Sequence, residues 1–458
     1  MRRIKNGATV SVMKKQEQKN DLRKEKNMVK KVGVAILGLG VVGGGTYQTL
    51  VEHHDFYLKT QQVDISVEMV LDLNLERLKA LGVPQEAIAK NIEEVIANPN
   101  VDIVIETIGG IGVAKTFVTA ALRDGKTVVT SNKELICKYS HELEKLAKRN
   151  HCGLYYEASC VGGVPIIRTL LDGVQANEIQ SMMGIVNGTT NYILTKMTYE
   201  GANYAEVLKE AQALGYAEAN PTADVDGFDS MYKLSILSSM AFHTKIPYTK
   251  IFREGISKIS VKDIAHGKEL GYTLKLLAIG KNTEKGIEVR VHPTFIPSSH
   301  PLASVNDSFN AVYLTGDAVG DIMLYGRGAG ALPTASAVVS DVLYAATHSE
   351  IKYSTFKNNA TAESNVKFIS DFQSAYYLRL SVADKAGVLA KISGTFAKHG
   401  ISIVKVSQTA QKGEEDEQKK VTLIIVTHKT SENSVTKAIA KINASELGVV
   451  ESMIRVEQ

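Results

Sequence analysis

Residues 32–50, VGVAILGLGVVGGGTYQTL, join a short apolar run to a glycine-rich turn and a helix-compatible stretch. This junction restricts the fold more than any other part of the chain. Val32 to Leu37 is apolar and rich in β-branched residues, which suits a strand buried on both faces. Gly38, Gly40 and Gly43 follow as G-x-G-x-x-G where strand meets helix. The first glycine allows the tight turn, the second lets a pyrophosphate approach the backbone, and the third lets helix and strand pack closely. The helix N-terminus then faces the anion. The motif alone is weak; its strand–turn–helix setting, with an acid ending the next strand, points to dinucleotide binding. Contacts are expected from Gly38, Leu39, Gly40, Val41, Val42 and Gly43. Asp72 either meets the ribose hydroxyls or merely opens the turn at Asn74.

The strand pattern recurs at Ile65–Leu71, from Val101 and in KTVVTSNK, with helical segments near 74–81, 93–97 and in FVTAALRDG. Strands alternating with helices at this spacing imply an α/β, Rossmann-type doubly wound parallel sheet. The 458 residues allow roughly three domains. The expected dinucleotide-binding domain covers 29–155 and, from a second Gly-rich turn followed by a helix, also 318–348. Residues 156–317 mix long helical patterns with alternating strands such as IEVRVHPTFI, an α+β domain beside the first. Polar residues 349–374 read as a linker. From 375 to 458, strands and helices alternate in a small independent α+β module.

The net charge of +4 is unevenly spread. Residues 1–31 hold eleven basic and three acidic side chains, a segment of +8, so the rest of the chain is −4. The pI of about 8.6 describes this tail, and no nucleic-acid footprint is expected on the acidic body. Aromatics at 6% with no Trp leave few platforms for stacking bases. Residues 1–28 lack the apolar core of a secretory signal and read as a disordered extension. No apolar run approaches the roughly 18 residues a membrane-spanning helix needs. Cys137, Cys152 and Cys160 are too few and too irregular for a disulfide framework or thiolate metal site, so a reducing cytoplasm is the default setting.

A second constellation lies in GYAEANPTADVDGFDSMYKL, residues 215–234, where Glu218, Asp224, Asp226 and Asp229 precede Lys233. On a helix, Asp229 and Lys233 are i and i+4 and share a face. An arbitrary pair of this kind is most often an exposed ion pair. This one follows an acidic turn and heads an apolar helix. Its carboxylates can bind an amine or hydroxyls, and the lysine can give a proton to a carbonyl oxygen as hydride arrives.

GLGVVG at 38–43, TSNKELI at 130–136, YYEASCVGGVPIIRTL at 155–170 and GIVNGTTNYILTKM at 184–197 precede that segment, and RGAGALPTASAVVSD at 327–341 follows it. Together they resemble the homoserine dehydrogenase family over about residues 33–348, which makes 156–317 the expected catalytic and dimerisation domain. DKAGVLAKISGTFAKHGISI, residues 384–403, separately resembles an ACT domain, an amino-acid-sensing module, which implies a ferredoxin-like fold for residues 375–458.

The resemblance implies reversible NAD- or NADP-dependent reduction of L-aspartate 4-semialdehyde to L-homoserine, on the route to threonine and methionine. It makes Lys233 the proton donor to the aldehyde oxygen and Asp229 the acid that orients the substrate hydroxyl. Lys133 would be a second lysine near nicotinamide and substrate. Glu218 would hold the substrate amino group, and Asp224 would be another substrate-side carboxylate. Thr107 and Gly330 would contact the coenzyme. Glu157, with the backbone carbonyls of Cys160, Gly162 and Val164, would hold a monovalent cation (Na or K) that orders the hinge between domains. In the ACT module, the turn containing Asp384, Gly387, Val388 and Leu389 would present backbone N–H groups to an amino-acid carboxylate, with threonine the effector the family suggests. Such modules pair across subunits, so a homodimer or homotetramer is expected.

Two positions depart from the family pattern. Leu71 stands where many members carry Arg beside the 2′-phosphate of NADP, which tilts the expectation toward NAD or dual use. Cys160 stands where Val is usual and reads as a small buried hydrophobe. It also motivates a rival, an acylating aldehyde dehydrogenase with a Cys160 thiolate nucleophile, although no His follows closely after His151. A non-catalytic dinucleotide and amino-acid sensor is the second rival. The full Glu218–Lys233 constellation speaks against it.

Overall fold

The computed structural model describes residues 29–348, 366–409 and 420–457. The extension 1–28 and residues 349–365 of the expected linker lie outside the described residues. The chain opens with β1 (Lys30–Leu37), α1 (Val41–Glu52), β2 (Val63–Leu71), α2 (Leu75–Ala80), β3 (Ile103–Glu106) and α3 (Gly112–Arg123). β4 (Thr127–Thr130), α4 (Lys133–Arg149), β5 (Leu154–Tyr155), β6 (Ile179–Ile185), α5 (Gly188–Glu200) and α6 (Phe228–Ala241) follow. Next come β7 (Phe252–Arg253), α7 (Val261–Glu269), β8 (Tyr272–Thr283), β9 (Gly286–Pro297), β10 (Phe309–Gly316), β11 (Gly320–Arg327) and α8 (Ala331–Thr347). The last part holds β12 (Gln373–Ala383), α9 (Val388–Lys398), β13 (Ile403–Thr409), β14 (Lys420–Thr427), β15 (Thr430–Ser431), α10 (Glu432–Asn443) and β16 (Gly448–Val456).

These elements form two compact units. The described part of the first covers 29–135, 139–158 and 330–348. Its five strands lie in the order β2-β1-β3-β4-β5, all parallel. β1 is buried from Val32 to Leu37, as its unbroken apolar run demands. Its register with β2 runs from Lys30↔Val63 to Leu37↔Leu71, so both strands end level and Gly38 and Asp72 emerge side by side. Chain order reverses at β1, between β2 and β3, and the crevice at the carboxyl ends of such strands is where open α/β sheets take ligands.

The second unit covers 136–138, 159–329, 366–409 and 420–457 of the described residues. Its sheet runs β11-β10-β6-β8-β9-β16-β12-β14-β13, with β7 paired to β9 and β15 to β12. α5 and α6 pack against β8. α6 is buried on nearly every side, which its sequence FDSMYKLSILSSMA permits because its few polar groups find partners. β16-β12-β14-β13 with α9 and α10 form a ferredoxin-like βαββαβ module. Its core gathers Leu378, Leu380, Ile392, Phe396, Leu423 and Ile425 beneath the two helices.

Three boundaries differ from the sequence reading. Residues 318–329 belong to the second unit, because β11 forms an antiparallel hairpin with β10 from Phe309↔Arg327 to Gly316↔Gly320; only from Gly330 does the chain rejoin the first unit. The end of the expected linker is packed: Phe368 bridges to Ile287, and Phe372, 1% exposed, stacks on His292. The C-terminal module is not a separate body, since Arg455↔Thr294 and Val456↔Phe295 join its sheet to β9.

Candidate active site

In the first unit the glycine turn is stitched to the strands on either side. Gly38 N–H donates to the Leu71 carbonyl at 2.8 Å, and Thr107 Oγ1 donates to the Gly38 carbonyl at 2.7 Å. Asp72 Oδ2 accepts from Leu39 N–H at 2.5 Å, and its Oδ1 accepts from Asn74 N–H at 2.7 Å. The acid therefore both opens the turn at Asn74 and ties the second strand to the glycine loop. A Cβ at Gly43 would sit 1.9 Å from the Gly38 carbonyl oxygen and 2.6 Å from Thr107 Oγ1, so only glycine lets the helix start this close. A Cβ at Gly40 would meet nothing within 4 Å. That space opens onto a cleft of about 540 Å³ lined by Gly38, Gly40, Asp72, Arg77, Lys90 and Thr107, which fits a dinucleotide. Val41 is exposed and Val42 half-buried at the start of α1.

Lys133 begins α4 immediately after its cap. Asn132 Oδ1 accepts from Leu135 N–H at 3.0 Å, and Asn132 Nδ2 donates to the Gly110 carbonyl at 2.6 Å. The organiser of this end of the sheet is Glu106, which the sequence reading passed over. It is fully buried; Oε1 accepts from Ile108 and Gly109 N–H groups, and Oε2 accepts from Thr130 Oγ1. Burial pushes its carboxyl pKa up, against the pull of these hydrogen bonds. An acid closing an otherwise apolar strand, IVIE, is the signal that could have found it.

In the second unit the acidic turn and the helix after it do converge. Lys233 Nζ donates to Asp229 Oδ2 and to the Val186 carbonyl, each at 2.7 Å. Lys233 is 8% and Asp229 4% exposed, so the pair is not the surface ion pair that such spacing most often gives. Asn187 Nδ2 bridges the two carboxylates, 2.7 Å from Asp224 Oδ1 and 2.9 Å from Asp229 Oδ2, while its Oδ1 caps α5 through Thr190 N–H. Asn187 was missed because an Asn before Gly-Thr-Thr reads as a cap and nothing more. Glu218 remains exposed, with its carbonyl bound to Gln212 Nε2, and is not drawn into this chain of contacts.

The expected cation residues fall on both sides of the unit boundary, with Glu157 in the first and Cys160, Gly162 and Val164 in the second. Glu157 is buried, and its N–H donates to Asp341 Oδ2 at 2.8 Å. Val161 and Gly162 have φ of 58° and 54°, left-handed in succession, which is costly for a β-branched residue and turns successive carbonyls unusually. Among the described residues, no group of three or more His, Cys, Asp or Glu side chains is placed to hold a metal ion. Gly330 directly precedes α8 with φ 115°. In the C-terminal module, Gly387 (φ 87°) precedes α9 without a side-chain cap; Asp384 and Leu389 are exposed and Val388 half-buried.

Family models match residues 38–157 as the homoserine dehydrogenase NAD-binding domain, 165–343 as homoserine dehydrogenase and 376–446 as an ACT domain. The chain is 42% identical to homoserine dehydrogenase of Bacillus subtilis, covering 94% of this chain and 99% of that one. Its identity with the Neisseria gonorrhoeae enzyme is 41%, over 94% and 99%. Among solved structures, a homoserine dehydrogenase from Thiobacillus denitrificans superposes with a TM-score of 0.87 at 39% identity, over 94% and 99%. A hyperthermophilic archaeal homoserine dehydrogenase in complex with NADPH superposes with a TM-score of 0.58 at 28% identity, over 69% and 97%. With the glycine cradle, the buried lysine–aspartate pair and the ferredoxin-like module each matched in order, this chain belongs to the homoserine dehydrogenase family.

Proposed function

We propose that the chain catalyses the reversible reduction of L-aspartate 4-semialdehyde to L-homoserine, with Lys233 giving the proton to the aldehyde oxygen. The observation that carries this reading is the buried ammonium of Lys233 held by Asp229 and the Val186 carbonyl. Those two bonds engage two of its three protons and aim the group. The bound nicotinamide supplies the hydride. Negative charge gathers on the aldehyde oxygen as hydride arrives, and an ammonium at hydrogen-bond distance stabilises that charge and quenches it. Asp229 orients the substrate hydroxyl. Asp224, fixed through Asn187, and Glu218 bind the polar groups of the amino acid; Lys133 serves the nicotinamide end.

Both dinucleotides are accepted on this reading. Asp72 suits the ribose hydroxyls of NAD, and Arg77 Nη1, 3.8 Å from Asp72 Oδ2, stands with Lys90 in the same cleft as counter-charge for a 2′-phosphate. Glu157 and the carbonyls of Cys160, Gly162 and Val164 hold a monovalent cation with a structural role. The turn at Asp384–Leu389 receives threonine and lowers activity, in a homodimer or homotetramer working in the cytoplasm. The acylating alternative is disfavoured by the complete burial of Cys160. Oxidation of L-homoserine by the purified chain, followed at 340 nm with NAD and NADP and with and without L-threonine, tests the reading. No turnover with either coenzyme sinks it.

A further inference from the structure

Arg253 and its neighbour Glu254 reach into two different parts of the second unit. Arg253 Nη1 donates to the Asp226 carbonyl, and its guanidinium lies 3.5 Å over the Phe228 ring. Ile256 N–H donates to the Val225 carbonyl at 2.8 Å. A Cβ on Gly255 would come within 2.3 Å of that carbonyl oxygen, so the backbone runs directly against the turn. Residues 253–256 are therefore a strap across 225–228, the turn that leads from Asp224 to the helix bearing Asp229 and Lys233.

The other end of the strap is tied to the ACT module. Glu254 Oε2 accepts from Arg455 Nη1 at 2.7 Å. Arg455, on β16 and 2% exposed, also donates to both carboxylate oxygens of Glu432 in the first turn of α10, and it lies 4.7 Å over the Phe252 ring. We propose that Arg253 is a positioning residue for the substrate-side turn, and that the Glu254–Arg455–Glu432 ion chain makes its hold depend on the state of the ACT module. The proposal deepens the functional reading above and rests on it.

The physics is that of a buried guanidinium shared between two carboxylates. It cannot release one partner without leaving a poorly solvated charge, so movement of α10 is passed to Glu254 rather than absorbed. β7 is two residues long and held to β9 by pairing at Phe252↔Arg290 and Arg253↔Val291, which makes the strap easier to shift than the long strands around it. The consequence falls on substrate binding. The bonds that aim Lys233 run to Asp229 and Val186 and do not pass through the strap.

Arg253→Met, Glu432→Gln and the double variant of the full chain test this by steady-state kinetics and by amide hydrogen exchange across 224–231. Arg253→Met should raise KM for L-homoserine about tenfold, with kcat and coenzyme KM changed far less. Arg253→Lys should recover most of that loss. Glu432→Gln should raise the same KM about threefold alone and add nothing in the Arg253→Met background. Both single variants should exchange faster across 224–231, a readout that stands without turnover. Unchanged KM and exchange in Arg253→Met, or additive effects in the double variant, overturn the proposal. Should Arg253→Met not fold, Glu254→Gln gives the same readouts, since its carboxylate is partly solvated. Wild-type protein inert toward homoserine would defeat the functional reading, while the exchange data would still judge the strap.

Discussion

The ammonium of Lys233 and the carboxylate of Asp229 lie 2.7 Å apart across one turn of a buried helix, and the same carboxylate oxygen takes a second hydrogen bond from Asn187. A charged pair in this setting has two roles that mutation can separate. Lys233→Ala should lower kcat by about 10²–10⁴, the usual worth of a positioned proton donor. It should also cost up to about 3 kcal/mol of stability, because the buried carboxylate of Asp229 loses the ammonium one helical turn away. Coenzyme affinity, set by the other unit, should stay within about twofold. Stopped-flow turnover, urea denaturation and NADPH fluorescence titration measure the three separately; an unchanged kcat removes Lys233 from the mechanism.

Asn187 serves two carboxylates and a helix cap at once. Asn187→Asp keeps the cap but faces Asp224 and Asp229 with a third negative charge, whereas Asn187→Ala loses both cap and bridge. The prediction is that the alanine variant loses about 1 kcal/mol of stability, while the aspartate variant, which buries a third carboxylate against two others, loses more and also has the poorer kcat/KM. The opposite ranking in kcat/KM would show that the amide acts only as a cap.

The glycine motif contains two different constraints. Gly43→Ala should destabilise the first unit, because its Cβ would strike the Gly38 carbonyl and Thr107. Gly40→Ala meets no protein atom, so its melting temperature should not move. Its coenzyme Kd should rise about tenfold or more, since the added methyl occupies the space the pyrophosphate needs. Calorimetry with and without NADPH distinguishes them. A normal Kd in Gly40→Ala would mean that the dinucleotide does not sit over this residue.

Much of this was legible in the chain because the informative residues are close in sequence. The strand–glycine–helix junction and the Asp229/Lys233 spacing are local patterns whose geometry follows from helix and strand periods. The C-terminal βαββαβ order was readable for the same reason. What escaped depends on contacts between distant segments. Asn187 meets Asp224 and Asp229 only after β6 and α6 have packed, and Glu106 becomes an organiser only once β3 and β4 lie side by side. The misplacement of 318–329 has a simpler cause. GDIMLYGR is half-exposed along its length, and its glycines read as a turn although the segment is paired along one whole edge with β10.

Cys160 is fully buried beside Ser159, whose Oγ lies 3.7 Å from its sulfur. A nucleophilic thiolate needs access and an electropositive setting. Cys160→Ala should therefore retain kcat within about threefold, and iodoacetamide should leave the native enzyme active. Stoichiometric inactivation by alkylation at this residue, protected by substrate, would instead revive thiol chemistry.

Lys275 offers a pH test that is independent of catalysis. Its ammonium is buried and donates to the Val305 carbonyl, Asn191 Oδ1 and Asn306 Oδ1. Burial lowers its pKa from the usual 10.5 to about 8, against the opposing pull of Asp307. Between those two values the unfolded chain holds a proton there that the folded chain has given up. Stability from this group therefore rises as pH climbs from 8 toward 10.5 and is lost as pH falls through 8. The full swing is at most about 3 kcal/mol. Lys275→Met cannot titrate, so the unfolding free energy of wild type relative to the variant should increase across that window. Urea denaturation of both proteins at several pH values measures it. A difference that stays flat with pH would mean that Lys275 remains charged in the fold, held by its three oxygen partners.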